Sequence, residues 1–377
     1  MNEGTGSAIA VARLRAGIVW VVMAVAGAVA APRADALPRY AARYEQKCAL
    51  CHVNPSGGGL RTEYASERLV PDEIAWHRKT PALLNQIDST LSKFLLVGTD
   101  FREMYVGSSL PAGHLNFFQM QGDLYLDFQL DPRASIYYDR GHSDTYEMFG
   151  LGYILPVVYV KAGRFVPSYG WKFDDHTMFV RNELGLAPPG NSDVGVEAGF
   201  ERGPIDVQAG LVNGSPGSTL DTDTKVAGVV NAMARRHVGP FGLALGVSGY
   251  HRPADASDYD TWGGYGYLTW RTFTWLGETD VVERRPAGGP TTQALATSHE
   301  LSCVIRQGLE VRATYDFFDP DRHLGSGAKS RWGGGVYVMP YPYLVIEADV
   351  RRTTYDDGVS YSGDDATETL VQLHLFR

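Results

Sequence analysis

Beyond about residue 93 the chain alternates apolar and polar side chains, and many of the polar ones carry full charges. Leu124, Leu126, Phe128 and Leu130 fall on one face of an extended segment, with Asp123, Tyr125, Asp127 and Gln129 on the other. Leu309, Val311, Ala313, Tyr315 and Phe317 oppose Glu310, Arg312, Thr314 and Asp316. Leu344, Ile346, Ala348 and Val350 oppose Val345, Glu347, Asp349 and Arg351. A period of two is the side-chain repeat of a β-strand. A soluble sandwich with one solvated face would alternate in the same way. Charges on one face throughout suit a barrel with a wet lumen and a lipid-facing exterior.

Turn spacing decides between the two. Tight connections fall near Arg202–Pro204, His237–Pro240, Arg271–Phe273, Arg306–Gly308 and Pro340–Pro342. They recur about every thirty-five residues, the length of two strands with one short and one long link. Longer polar loops lie between them, at residues 213–224, 251–260, 284–293, 319–330 and 356–366. Counting back from the C-terminus gives eleven strands to about Val194. Five more lie near residues 95–107, 116–130, 133–140, 146–154 and 157–165, before the long stretch Val166–Asp193. The expected fold is all-β, a transmembrane antiparallel β-barrel of about sixteen strands, with fourteen as the alternative count. An even number puts both ends of the barrel chain on the short-turn, periplasmic rim. The last strand turns Val371, Leu373 and Leu375 one way. Phe376 is therefore out of phase with the outward aromatic that commonly ends such chains, and Arg377 follows it.

The stretch before the barrel carries different chemistry. Cys48-Ala49-Leu50-Cys51-His52 spaces two thiols three residues apart, with histidine directly after the second. That spacing serves covalent haem attachment: each thiol adds to one vinyl group, and the histidine reaches the iron as proximal ligand. A thioredoxin-like pair needs a βαβ context, and a zinc site needs a second such pair; the sequence offers neither. One haem c is the expected cofactor, held by Cys48 and Cys51 with His52 on the iron. Cys303 stands alone in a strand-like run and is expected to be a small packed apolar residue.

Arg13 and Arg15 precede an apolar run over residues 16–29, and Ala34-Asp35-Ala36 offers a cleavage site. Residues 1–36 are thus expected to be a secretory signal peptide. A membrane anchor is the alternative, the run being near the short limit for spanning. Export suits covalent haem attachment, which is completed outside the cytoplasm. No long apolar segment follows residue 37, which excludes a helical membrane protein. The formal net charge of −9 makes nucleic acid an unsuitable partner.

Residues 37–92 form the expected monohaem cytochrome c segment, small and α-helical, and residues 93–377 the barrel. Pro71-Asp72-Glu73 predicts a helix start, with Ile74, Trp76, Leu83, Leu84 and Ile87 on its apolar face. Asn54-Pro55-Ser56-Gly57-Gly58-Gly59 predicts a loop whose glycines let backbone approach a large planar ligand. So short a segment buries little core; the haem must act as its core, or something else must enclose it. It contains no methionine, and His77 is its only other histidine. His77 is the candidate distal iron ligand, with a surface histidine beside Arg78 and Lys79 as the plain alternative. His114, Met104 and Met120 are rivals if the haem sits inside the barrel, and an open iron position is a further alternative.

Leu37-Pro38-Arg39-Tyr40-Ala41-Ala42-Arg43-Tyr44, the haem motif, a glycine-rich turn and a porin-like array follow one another. In that order of parts the chain resembles the outer-membrane fused monohaem cytochrome–porins, the iron-oxidase cytochromes and their relatives. The order extends along nearly the whole mature chain, while only the stretch around the motif is specific. Tyr40, Ala41 and Arg43 loosely match the family's aromatic-Ala-Arg run. The Asn54–Gly59 run departs from the iron-oxidase version, and the chain is shorter than typical members. The resemblance therefore implies the architecture without implying iron as substrate. Gly163-Arg164-Phe165-Val166-Pro167-Ser168-Tyr169-Gly170, followed by Asp174-Asp175-His176, is similar to the strand-to-loop passage of phosphate-selective-type porins. In those, a long loop can fold inward and narrow the pore.

The expected function is passage of single electrons through the haem, between a periplasmic carrier (a cytochrome or similar) and an extracellular donor or acceptor. The expected location is the outer membrane and its lipid, with the haem segment on the periplasmic side or in the lumen. Asp123, Asp127, Glu310, Asp316, Glu347 and Asp349 would favour cationic partners, or be neutralised by Arg306, Arg312 and Arg351. A diffusion porin with a structural or regulatory haem segment is the alternative. A peroxidase-like haem enzyme is a third reading and needs an open iron position. The sequence shows no Ser/His/Asp array or phosphate loop, so an electron-transfer protein is expected before a classical enzyme. Asp174-Asp175-His176 is expected to be loop rather than metal site.

Overall fold

The computed structural model describes residues 38–44, 46–78, 90–109, 116–142, 146–186, 191–218, 220–221, 223–356 and 365–377. The expected signal peptide, together with Leu83, Leu84, Ile87 and His114, lies outside these residues. A three-residue strand, β1 (Thr90–Ser92), pairs with the first strand of the barrel proper. That strand is β2 (Leu95–Ser108), followed by β3 (Asn116–Asp131), β4 (Ala134–Gly141), β5 (Tyr146–Leu155) and β6 (Val158–Phe165). After a long interval come β7 (Asp193–Arg202), β8 (Ile205–Val212), β9 (Ala227–Val238), β10 (Phe241–Arg252) and β11 (Ser257–Trp270). The last six are β12 (Phe273–Pro286), β13 (Thr292–Arg306), β14 (Leu309–Asp319), β15 (Lys329–Tyr341), β16 (Leu344–Tyr355) and β17 (Ala366–Phe376).

Each strand of this ring pairs antiparallel with its sequence neighbours, and β17 returns to β2, with Leu375 opposite Phe101 and Val371 opposite Tyr105. Closure leaves no unpaired edge, which a bilayer demands. The ring therefore has sixteen strands, β2 to β17, and not fourteen. Seven two-residue turns lie on the rim where the barrel chain begins and ends, and the longer loops lie on the other.

Alternation sorts the side chains as the pattern requires, but with the usual polarity reversed. Leu245, Val247, Trp262, Val350 and Leu373 point outward and are exposed, while Asp100, Lys161, Glu197, Glu278, Asp316 and Asp349 point inward and are buried. The inward charges are neutralised in pairs: Lys161 with Glu197 at 3.0 Å, Arg331 with Asp316 at 2.8 Å, and Arg312 with both Asp349 and Glu347. An apolar exterior over a charged interior is the arrangement that lipid outside and water inside would select.

Two segments pack into the lumen. The N-terminal one begins with α1 (Pro38–Tyr44), whose Arg39 donates to Glu300 at 3.1 Å and whose Arg43 donates to Glu310 at 2.7 Å. It continues through α2 (Cys48–Cys51) to a wide helical turn, Ala65–Ile74. The expected helix start at Pro71 is corrected here. Pro71 lies inside that turn, which ends at Ile74, where the Ala75 N–H reaches back five residues to the Val70 carbonyl. Leu69, Val70 and Ile74 pack on Tyr343, Val345 and Phe376 of the barrel wall, and Trp76 and His77 N–H groups then pair with the Met339 and Pro340 carbonyls. Proline has no N–H to give a regular helix, and pairing with the wall offers the next residues a better partner.

The second segment is the long interval between β6 and β7, with one short helix, α3 (Phe179–Asn182). It folds inward, as the porin-like passage implies. Arg181 pairs with Glu278 at 2.7 Å, the Tyr169 hydroxyl donates to Asp280 at 2.8 Å, and Arg351 pairs with Asp175 at 2.6 Å. The two segments touch where Lys172 donates to the Gly57 carbonyl at 3.0 Å.

Phe376 is indeed turned inward. It meets Tyr343 edge-on and carries the Arg61 guanidinium 3.8 Å above its ring, while Arg377 pairs with Glu67 at 2.6 Å. The final aromatic is thus spent on holding the N-terminal segment rather than on facing lipid.

Candidate functional site

Cys48 and Cys51 open and close the single turn of α2, so their thiols lie one helical turn apart, and His52 follows in extended conformation. The His52 N–H donates to the Cys48 carbonyl at 2.8 Å, which draws the motif into one compact unit. Gly57, Gly58 and Gly59 then adopt φ of +86°, +82° and +65° in succession, a left-handed run that residues with a Cβ resist. The chain turns back so closely that a Cβ on Gly57 would lie 3.3 Å from Cys48 Sγ, and one on Gly59 would collide with the Tyr137 hydroxyl. That hydroxyl accepts the Leu60 N–H at 3.2 Å.

Lys161 of β6 and Lys172 of the inward segment hold this loop from behind. Lys161 Nζ donates to Ser56 Oγ at 3.0 Å, Lys172 Nζ to the same hydroxyl at 3.3 Å, and Asn54 Oδ1 accepts the Ser56 N–H at 3.2 Å. Lys47, just before the motif, pairs with Asp206 at 3.3 Å.

Cys48, Cys51 and His52 line one cavity inside the barrel. Tyr169, Trp171 and Lys172 of the inward loop close one side, and Met233, Asn231 and Tyr265 of the barrel wall close another. A second cavity adjoins it across His52, lined by Arg61, Asp100, Arg102, Met120, His142 and His176 among others, but by neither cysteine.

His52 has the properties of a ligand. Its Nδ1 is buried with no hydrogen-bond partner among the described residues. Burial, reinforced by the Arg61 charge, pushes its pKa down to about 3, so the ring is neutral and a lone pair is available at any ordinary pH. Burial also raises the Cys48 thiol pKa. Two thiols, a neutral imidazole with an orphaned nitrogen, a glycine cradle and an aromatic wall fit a covalently attached haem.

The other candidates are dispersed. His77 stands exposed on the short-turn rim, stacked 5.1 Å from Tyr341, and lines neither cavity. Met104 and Met120 share a small separate cavity with Asp174 and Glu347. Cys303 is half-buried on β13 and lies 3.7 Å from the Thr272 hydroxyl. Asp174-Asp175-His176 is loop: the Asp174 carbonyl accepts from Arg102, and Asp175 binds Arg351 and Thr177. Met233 escaped the sequence reading because period two gives only its face, and nothing local says which lumen residue meets a segment nearly two hundred positions away.

Comparison with solved structures returns porins. Outer-membrane expressed OmpT of Vibrio cholerae is 9% identical, with 76% of this chain and 99% of that chain covered at a TM-score of 0.56. The anion-selective porin from Comamonas acidovorans is 13% identical, with 75% and 99% covered at a TM-score of 0.56. The barrel has the outer-membrane porin fold. Pseudomonas putida OprB, in its high-pH structure, has the same fold at 11% identity, with 76% and 94% covered and a TM-score of 0.58. No family model matches the sequence, and no curated protein matches it.

Proposed function

We propose that this chain is an outer-membrane cytochrome–porin that carries single electrons between the cell exterior and periplasmic carriers. The observation that carries this reading is that Cys48, Cys51 and His52 line one cavity within the lumen of a porin-fold barrel. A bare outer membrane is an apolar layer about 25 Å thick, which electrons do not cross unaided. When bound, haem c supplies one-electron redox chemistry at a point inside that layer.

The chain's own residues do the rest. Cys48 and Cys51 would hold the macrocycle, and neutral His52 would ligate the iron. Tyr169, Trp171 and Tyr265 would keep water from its faces. The ion pairs of Arg39, Arg43 and Lys47 to the wall fix α1 and α2 so that the site does not drift. Trp76 and His77 on the short-turn rim would meet the periplasmic carrier.

A diffusion porin with a structural or regulatory N-terminal segment is the second reading, and the likeness of the barrel to porins favours it. Two segments anchored across the lumen argue against a wide open pore. Electron passage separates the readings. Protein reconstituted into sealed vesicles holding a trapped redox dye should reduce or oxidise it when a membrane-impermeant partner is added outside. Dye that stays unchanged, beside large single-channel conductance indifferent to redox state, would establish the diffusion porin instead.

A further inference from the structure

We propose that Met233, on β9, is the second axial ligand of the iron, on the face opposite His52; this rests on the haem reading above. The cysteines choose the side. Cys48 and Cys51 line the first cavity and not its neighbour, while His52 lines both. Thioether bonds would therefore keep the macrocycle in the first cavity, away from Met120, His142 and His176 in the second.

Within the first cavity most side chains able to bind iron are already engaged. Lys172 Nζ donates to the Gly57 carbonyl at 3.0 Å and to Ser56 at 3.3 Å. The Tyr169 hydroxyl donates to Asp280 at 2.8 Å, and Asp206 is held by Arg235 and by Lys47. Glu201 is a hard carboxylate, poorly matched to haem iron. Met233 is neutral, soft and long, and its sulfur makes no hydrogen bond among the described residues.

Across the ladder Met233 faces Gly246, which brings no side chain of its own. The Tyr265 ring lies flat over Gly246, where a Cβ would collide with it, and helps line the same cavity. Thioether and imidazole together are the ligand pair that raises the potential of a c-type haem above that of a bis-histidine one.

The test uses full-length, haem-loaded protein in detergent. Wild type, Met233→Leu, Met233→His and Met120→Leu are compared by haem stain after denaturing electrophoresis, by the far-red thioether-to-ferric charge-transfer band, and by midpoint potential. Leucine keeps the volume of methionine, so packing survives. The expected result is the band in wild type and Met120→Leu, its loss in Met233→Leu, and a lower potential with a bis-histidine spectrum in Met233→His, with covalent stain retained in all four. A band absent from stained wild type, retained in Met233→Leu, or lost in Met120→Leu overturns ligation by Met233 while leaving the haem reading intact. Unstained wild type overturns both.

Discussion

Arg43 Nη1 lies 2.7 Å from Glu310 Oε1, and both side chains are almost fully withdrawn from solvent. Arg43 reaches the same carboxylate a second time, Nη2 to Oε2 at 3.0 Å, and Arg39 approaches it to 3.4 Å. One glutamate near the short-turn rim thus anchors both cations of α1. Glu310→Ala takes this carboxylate from Arg43 while Arg39 keeps Glu300, a loss of about 3–5 kcal/mol for removing one partner of a buried pair. The expected outcome is an intact barrel with a loosened N-terminal segment. Faster proteolysis after Arg43 and larger conductance in planar bilayers would report it.

Gly59→Ala is expected to disturb the haem loop, since its φ of +65° costs a residue with a Cβ about 1–2 kcal/mol before the collision with Tyr137 is counted. Covalent haem yield should fall several-fold. Adding Tyr137→Phe removes the colliding oxygen but also the acceptor for the Leu60 N–H, so rescue should be partial. Haem-stained yield per barrel measures both.

His176 makes the inward loop sensitive to acid. Burial first, then the Arg102 charge, lower its pKa to about 4 against an ordinary 6.5, while Asp175 and Asp174 pull the other way. The unfolded loop takes a proton as pH drops below 6.5 and the docked loop does not, so docking is unaffected above 6.5 and weakens between 6.5 and 4. The full shift corresponds to about 3 kcal/mol, discounted because the ring is partly exposed. Protease susceptibility of residues 166–192 should rise over that window in wild type. In His176→Gln the rise should be much smaller.

Phe376→Ala removes the ring beneath Arg61 and the edge contact to Tyr343. Large-to-small changes at such a buried aromatic cost about 3–5 kcal/mol. The cost should fall on the N-terminal segment, because the outward face of β17 is untouched. Barrel heat-stability on cold gels should persist while haem retention after mild urea treatment drops.

The barrel was legible because its constraints are local. A period of two, charges on one face and a glycine or proline at six of the seven tight turns recover all sixteen strands, including the short β4 to β6. Cys48, Cys51 and His52 stood out by their spacing alone, and the fold brings all three to one cavity. What the sequence hid is what depends on encounters across the lumen. Glu310 and Arg43 are 267 positions apart, and no local pattern pairs them. The helix start expected at Pro71 fails for the same reason: the wide turn ends at Ile74, and Met339 and Pro340 pair with the backbone of Trp76 and His77. Phe376 looked out of register when judged against lipid. Judged against Arg61, it is in place.

The central claim is tested most directly by the visible spectrum of detergent-purified, membrane-extracted protein, read before and after denaturing electrophoresis with haem staining. The expected result is a red protein with reducible c-type bands, the stain migrating with the chain and disappearing in Cys48→Ala/Cys51→Ala. A colourless barrel, or colour that separates from the polypeptide on denaturation, would contradict it.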